Sequence, residues 1–448
     1  MKKYSGKFWF IFWTSAVVLL VSFYFFLQPS QTNIQKNGKE LSLGEKYTVI
    51  SGVVEYLLGG DKEKTFLILF QNNMEIRPGG GFIGSFGVLK IKNGMPSDLQ
   101  IHDTGYFDER IPDTILAPYP MEANLRVKYL KLRDSNYSPD FPTNAKAAEN
   151  FYALGQGEEK FDGVVAITTN VLTSFLKVTG PVALEGYPGT YADENAVLNL
   201  EYQVEKAFDE QGIARKDRKS VMNLLAREIM NKVKNLDWQE KLRLFDVVLE
   251  DLRRKDIQLE FKDAKMQQVI SDAGWDGKMD GVWQQDYLMT VDANLGAWKS
   301  DYSVKRALEY TIDLSGEKPL AKLKITYTHT ASQRDYMTKD YFSYLRIYVP
   351  EGSWLLNAQD FANPQFGKEI LADGKSRDYF GVIVKVPISS SRTVEFSYNL
   401  PKFIANDYRL KMQKQAGIND ESVSIHFIGR QGEKKEYSGT LENDWVWE

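Results

Sequence analysis

Asn72 to Gly87 reads NNMEIRPGGGFIGSFG, and the segments on either side of it set the fold. Before it, Thr65 to Gln71 (TFLILFQ) is an apolar run of strand length. After it, Phe82 to Lys92 continues as a second strand and closes at Asn93-Gly94, a strong short-range turn signal. Between them stand the amides of Asn72 and Asn73, the carboxylate of Glu75, the guanidinium of Arg77 and three glycines, Gly79, Gly80 and Gly81. Two readings are open. Three glycines leave the backbone without side-chain cover, so its N–H groups can face a ligand or another chain segment. Alternatively, they serve a tight connection that needs positive φ.

A chain of 448 residues exceeds one average domain and predicts two or three. Its 43% hydrophobic content is ample for packed cores, so the chain is globular. With 56 basic against 60 acidic residues there is no basic excess, which argues against nucleic acid as a main partner. The absence of cysteine excludes thiolate metal sites, cysteine nucleophiles and disulfides. Three histidines far apart (His102, His329, His426) are too few for a His-rich zinc site.

Phe8 to Leu27 (FWFIFWTSAVVLLVSFYFFL) carries no charge and is long enough to span a bilayer. Lys2, Lys3 and Lys7 precede it, whereas the next charge after it is Lys36. The positive-inside rule therefore predicts a short cytoplasmic tail (1–7), a single-pass signal anchor (8–27) and an external remainder. A cleaved signal peptide would need a shorter apolar run and a small-x-small site, and Phe26 to Ser30 offers neither clearly.

Polar residues 28–46 read as a tether. Tyr47 to Leu58 has helical spacing stopped by Gly59-Gly60. Leu99 to Asp103 reads as a third strand, and Asp108 to Tyr137, with Pro112, Pro118 and Pro120, as a long excursion. Thr143 is placed to cap a helix whose stripe is Ala145, Ala148, Phe151 and Leu154. Gly163 to Thr168 reads as a buried strand, Asn170 to Val178 as a helix, Val182 to Leu184 as a short strand, and Asp193 to about Arg254 as helix-rich. Alternating strands and helices predict a three-layer α/β domain over 47–304. Tyr287 to Leu295 lies at the junction and could return to that sheet as its last strand. Beyond it, 307–314, 320–328, 341–349, 380–387, 393–400, 408–413 and 422–428 alternate apolar and polar residues. That pattern predicts an antiparallel, immunoglobulin-like β-sandwich over 305–448.

Several groups suit chemistry. Arg215-Lys216-Asp217-Arg218-Lys219 opens the Val221 helix, where cations oppose the macrodipole unless an anion is bound. The alternatives there are a phosphate site and a solvated charged turn. Asp103, Asp108, Asp134 and Asp140 fall in loops where carboxylates would hold Mg²⁺ beside a phosphate, although no pair is spaced on a recognisable element. Asn294 and Lys299, in DANLGAWKSDY, either cap a turn or reach into the glycine-loop site. His102 follows an apolar strand and reads equally as a satisfied buried histidine.

On NNMEIRPGGGFIGSFG, SPDFP, FDGVVAI, VTGPV and DANLGAWKSDY, the span from about Thr65 to Tyr302 is identified as a member of an uncharacterised bacterial family, the domain of unknown function 4012. The order strand, polar loop, strand, tight turn, strand also resembles the core of LytR-CpsA-Psr proteins. Those are anchored outside the cell and transfer glycopolymers from polyprenyl-pyrophosphate carriers to peptidoglycan. The resemblance extends over Pro142 to Val182 and to Arg215–Lys219, the counterpart of a basic stretch that contacts pyrophosphate. Two departures weaken it. Gly80-Gly81-Phe82 stand where the family has acidic Ser-Asp-Thr, and His102 stands where it has an arginine ahead of Asp103.

Two functions follow as expectations. One is an envelope protein whose α/β domain binds, and on the resemblance transfers, a phosphorylated or polyprenyl-linked glycan, with Arg77, Arg215 and Arg218 on phosphates and Asp103 or Asp134 on Mg²⁺ or as base. The other is a non-enzymatic surface or scaffold protein acting through its β-sandwich.

Overall fold

The computed structural model describes residues 52–447 except 54, 60–61, 94 and 215–217, together with two paired two-residue strands, Gln35–Lys36 and Lys39–Glu40. The expected anchor at 8–27 lies outside the described residues. Among those described, no helix is long and apolar enough to cross a membrane.

The chain is a mixed α/β protein with several sheets, and it separates into two compact units. One comprises Met1–Gln71, Ile83–Arg110 and Tyr152–Asp276; the other comprises Asn72–Phe82, Ile111–Phe151 and Gly277–Glu448. The sequence pattern draws a single boundary at 304/305. Contacts in space draw it differently, because the glycine loop and residues 277–304 find their partners in the second unit.

The first unit holds a five-stranded sheet. Its strands are β1 (Lys64–Asn72), β2 (Phe82–Lys92), β3 (Met95–Asp103), β4 (Gly163–Thr168) and β5 (Ile257–Phe261), in the order β3-β2-β1-β4-β5. β1 and β4 run parallel from Phe66↔Gly163 to Gln71↔Thr168. Their near-continuous apolar runs suit strands covered on both faces. β3 and β5 are antiparallel to β2 and β4 respectively.

The longer helices are α1 (Phe141–Leu154), α2 (Asn170–Thr179), α3 (Ser220–Lys234), α4 (Trp238–Arg253) and α5 (Ala264–Asp272). Val171, Phe175 and Leu176 of α2, Leu225 and Ile229 of α3, and Phe245 and Leu249 of α4 share one core with Phe66, Ile68, Leu89 and Ile91. α4 begins with a capping box between Asp237 and Glu240. At α1 the cap differs from the sequence expectation. Asp140, not Thr143, precedes the helix, and its Oδ2 accepts from Thr143 N–H (3.2 Å) and Oγ1 (2.6 Å). A carboxylate there satisfies a free amide and faces the positive end of the helix dipole.

Twelve strands follow among the described residues. They are β6 (Asp286–Asn294), β7 (Val304–Asp313), β8 (Leu320–His329), β9 (Tyr341–Val349), β10 (Trp354–Ala358) and β11 (Gln365–Ile370). Then come β12 (Ser376–Val386), β13 (Ser391–Asn399), β14 (Leu410–Met412), β15 (Ser422–Ile428), β16 (Lys434–Thr440) and β17 (Trp445–Trp447). They form two six-stranded sheets, β11-β12-β9-β6-β14-β17 and β10-β13-β8-β7-β15-β16. Leu308, Tyr310 and Ile312 of one and Leu345, Ile347 and Val382 of the other belong to one buried cluster.

β6 is the strand that sequence leaves open to the α/β sheet. It pairs instead with β9 and β14, in the second unit. All nine of its residues are buried, because Leu288 faces the inter-sheet core while Tyr287, Met289 and Val291 pack on the other side. Of these twelve, the strands the pattern does not predict, β10, β11, β16 and β17, are all edge strands with few inward apolar positions to betray them; β5, at the edge of the five-stranded sheet, also goes unpredicted.

Candidate functional site

The glycine loop lies in the second unit and turns its polar groups inward. Asn72 Oδ1 accepts from Met74 N–H (3.0 Å), and its carbonyl accepts from Glu75 N–H (3.2 Å). Phe82 N–H returns to Glu75 O (3.0 Å), which closes the loop. Gly79 N–H donates to Asn136 O (3.0 Å), Gly80 N–H to Arg77 O (2.9 Å), and Asn136 Nδ2 to Gly81 O. Asn73 Nδ2 reaches Gly417 O (3.0 Å). Gly80 holds a φ of 130°, and a Cβ on Gly81 would stand 2.5 Å from the Asn72 carbonyl carbon. These glycines therefore allow positive φ and close backbone approach. The amides of Gly79 and Gly80 serve the protein itself.

Arg77 is 4% exposed. Its Nη2 donates to Glu75 Oε1 (2.7 Å), its Nη1 to Asn294 O (3.0 Å) and Ile76 O (3.2 Å), and its guanidinium lies over the Phe82 ring. Asn294 joins the same network. Its Nδ2 donates to Trp298 O (2.8 Å) and Asp301 Oδ2 (2.7 Å), its Oδ1 accepts from Gly296 N–H (2.8 Å), and its own N–H donates to Ile76 O (3.1 Å). Lys299 contributes its N–H to Met337 O (2.8 Å). The glycine loop and DANLGAWKSDY thus meet, but through turn-capping and backbone bonds.

Sequence reasoning missed the hub beside them. Arg306 pairs with Asp292 (2.8 Å) and Asp301 (2.7 Å), and also donates to Tyr341 Oη (2.7 Å). The signal was an arginine in the inward register of β7, alternating with Val304, Leu308 and Tyr310.

Two carboxylates read as metal or base candidates are likewise occupied. Asp134 accepts from Lys131 N–H (3.2 Å) and is buried. Asp140 accepts from Thr143, from Met279 N–H (3.0 Å) and from Ala372 N–H (3.1 Å). Asp108 is buried at the start of a 3₁₀ turn. Among the described residues, no group of three or more His, Asp or Glu side chains is arranged to hold a metal ion.

The first unit presents a different arrangement. Lys219, directly before α3, places Nζ 2.6 Å from Asp103 Oδ2 and donates to Ser85 Oγ (3.1 Å) and Gly84 O (3.0 Å). Ser85 and Asp103 sit opposite each other across β2 and β3. Asp103 Oδ1 also accepts from Gly105 N–H (2.7 Å), capping a short helix, Thr104–Phe107. The two charged side chains are 28% and 31% exposed, so solvent and solutes reach them. Burial works to raise the Asp103 carboxyl, but Lys219 and the Gly105 N–H outweigh it and hold the group below the usual carboxylate range.

Arg218 pairs with Glu205 (3.1 Å). Arg215 and Lys216 lie outside the described residues. His102 stacks on Phe86 with ring centroids 4.9 Å apart, and burial together with Arg110 pushes its imidazole below the ordinary value. It packs as an aromatic ring against Phe86. The Asp103–Lys219–Ser85 cluster at the strand ends is therefore the candidate site.

Residues 61–204 match the model of a family described as a protein of unknown function, the domain of unknown function 4012. No curated protein matches. Among solved structures, a candidate nutrient-binding protein of Legionella pneumophila strain Philadelphia 1 shares 10% identity and a TM-score of 0.21, over 28% of this chain and 50% of that one. A structural-genomics target from Listeria innocua shares 11% identity and a TM-score of 0.24, over 48% and 79%. The chain thus spans half the length of the first of these. Likenesses this slight carry no argument about function.

Proposed function

We propose that this chain, whose residues 61–204 carry the domain of unknown function 4012, is a membrane-anchored extracytoplasmic envelope protein that binds a phosphorylated or polyprenyl-linked glycan. The site is the Asp103–Lys219 end of its first unit. The observation that carries this reading is a convergence. The basic run before α3 and the strand end at Asp103 are separate signals in sequence, 116 positions apart, yet Lys219 stands 2.6 Å from Asp103 with both side chains 28–31% exposed. An ammonium at the start of a long helix suits phosphate oxygens. One carboxylate combined with phosphate oxygens is a usual way of holding Mg²⁺, so Asp103 could share such an ion with a bound diphosphate. Glycan transfer rests on the LytR-CpsA-Psr resemblance alone.

The same reading takes the first unit as a three-layer α/β domain and the paired six-stranded sheets as an immunoglobulin-like β-sandwich. The shared buried cluster of the two sheets supports the latter. The uncharged 8–27 run and its flanking lysines support the anchor.

The test is binding of labelled prenyl-pyrophosphate lipid to the full chain in detergent, with and without Mg²⁺. Saturable binding that weakens with salt and in Lys219→Ala is expected. No binding in either arm overturns the proposal.

A second reading, a surface or scaffold protein, is favoured by one feature. Trp354 and Phe366, on edge strands β10 and β11, are 72% and 66% exposed, with Leu356 and Ile370 exposed beside them in sequence. If it holds, Trp354→Ser with Phe366→Ser abolishes co-sedimentation of the full chain with purified cell wall; unchanged co-sedimentation dismisses it.

A further inference from the structure

The short helix Thr104–Phe107 is mounted directly on the Asp103–Lys219 pair, because Asp103 is its N-cap and accepts from Gly105 N–H (2.7 Å). Two of its side chains face the protein. Thr104 is buried, and its Oγ1 donates to Ile83 O (3.0 Å). Phe107 is buried edge-on against Phe86, with centroids 4.8 Å apart, and stacked with Tyr152 at 5.7 Å. The turn is thus fixed from both ends and leaves one ring outside. Tyr106 is 62% exposed, more than any other large hydrophobic side chain among the described residues of the first unit.

A lone exposed aromatic is ordinary on a protein surface. This one differs in being carried by a turn that the site's own carboxylate caps. Counted from the cap, Tyr106 is the third helical residue, and a helix sets its N-cap and third residue side by side. The ring therefore projects from the rim of the pair in which Lys219 Nζ stands 2.6 Å from Asp103. Its neighbours along the chain are charged, with Asp103 before it and the exposed Glu109 and Arg110 after it. A single ring bordered by charges gives an isoprenoid chain little apolar surface to follow. It suits a pyranose, which has one apolar C–H face and a rim of hydroxyls that favours polar surroundings.

Resting on the phosphate reading of this site, we infer that Tyr106 reads the sugar: it stacks on the first sugar residue of a glycosyl phosphate whose phosphate Lys219 holds. The ligand class is then a sugar joined directly to phosphate, rather than a prenyl phosphate alone.

The experiment compares two labelled lipids of equal chain length on the full chain in detergent with Mg²⁺. One is a prenyl pyrophosphate, and the other is the same lipid bearing N-acetylglucosamine on its pyrophosphate. The parent should bind the sugar-bearing lipid about tenfold more tightly, the effect of one aromatic contact. Tyr106→Ala should erase that margin and leave binding of the sugar-free lipid unchanged, whereas Lys219→Ala should weaken both. Tyr106→Phe should retain the margin, since the ring and not the hydroxyl makes the contact. The alanine variant should keep the parent's denaturation midpoint, because the side chain it removes lies outside the core. The inference fails if the parent does not prefer the sugar-bearing lipid or if Tyr106→Ala keeps the preference. It fails equally if Tyr106→Ala weakens both lipids alike, which would set the ring against the prenyl pyrophosphate. In each of those cases lipid binding by the parent leaves the phosphate reading standing. Binding of neither lipid by the parent overturns that reading and the inference with it.

Discussion

The glycine loop and the Asp103–Lys219 cluster both set a basic residue against a carboxylate, yet they differ in what surrounds the pair. Arg77 and Glu75 have side chains 5% and 11% exposed, and three further protein groups engage the guanidinium. Lys219 and Asp103 remain roughly a third open. In the first pair the protein has claimed both Nη groups of the guanidinium for itself. In the second it holds two charges at a surface where another anion or cation can join them. A basic residue in a glycine-rich loop is thus no guide to a ligand until the direction of its donors is known.

Substitution measures that contrast directly. Arg77→Ala leaves Glu75 buried without its partner, and breaking a buried pair from one side costs about 3–5 kcal/mol. Chemical denaturation of the full chain should show a drop of that size with no specific change in lipid binding per folded molecule. A stability loss of the same size in Lys219→Ala would break the comparison.

Buried acids give the next effect. Burial, opposed by Arg306, pushes the Glu421 carboxyl up to about 7. Its unfolded value is near 4.3. A raised carboxyl favours the folded state fully below that value, and the gain is lost as pH rises through 7. Unfolding free energy should therefore fall between about pH 4 and 7, by at most about 4 kcal/mol from this group. Glu421→Gln should flatten that fall, and an unchanged pH profile would place the slope elsewhere.

Gly81→Ala tests whether the glycines serve packing. Its Cβ would stand 2.5 Å from the Asn72 carbonyl carbon and 2.6 Å from Asn73 N, so overpacking should cost about 1–3 kcal/mol. An open cradle would tolerate alanine on stability and lose ligand instead.

The smallest stability change belongs to the open pair. Lys219→Ala and Asp103→Asn should each shift unfolding by less than about 1 kcal/mol, because solvent screens a half-exposed pair. Asp103 is held below its unfolded value, so its contribution is present at neutral pH and disappears only as pH falls through the acid range. Lys219→Ala should nevertheless weaken pyrophosphate-lipid binding severalfold and flatten its salt dependence.

Much of the fold was legible. β1, β2, β4 and α2 carry their period in plain view, and all seven alternating runs beyond residue 305 are strands. What escaped were edge strands such as β16, whose exposed residues leave no apolar rhythm, and the partnership of β6, whose two buried faces look the same from sequence whichever sheet receives it. The site was half legible. The basic run and Asp103 were each visible, but Ser85 and Lys219 gained meaning only when β2, β3 and the start of α3 came together.

Sequence by itself determined the charge-free span at 8–27 and the helical and strand periods, because each depends on neighbours a few positions away. Tertiary structure alone decided that the glycine loop belongs with β6 and the paired sheets, that Arg77 faces inward, and that Lys219 meets Asp103. Those outcomes depend on which distant backbone groups and charges end up within hydrogen-bonding distance, and that is set only when the chain packs.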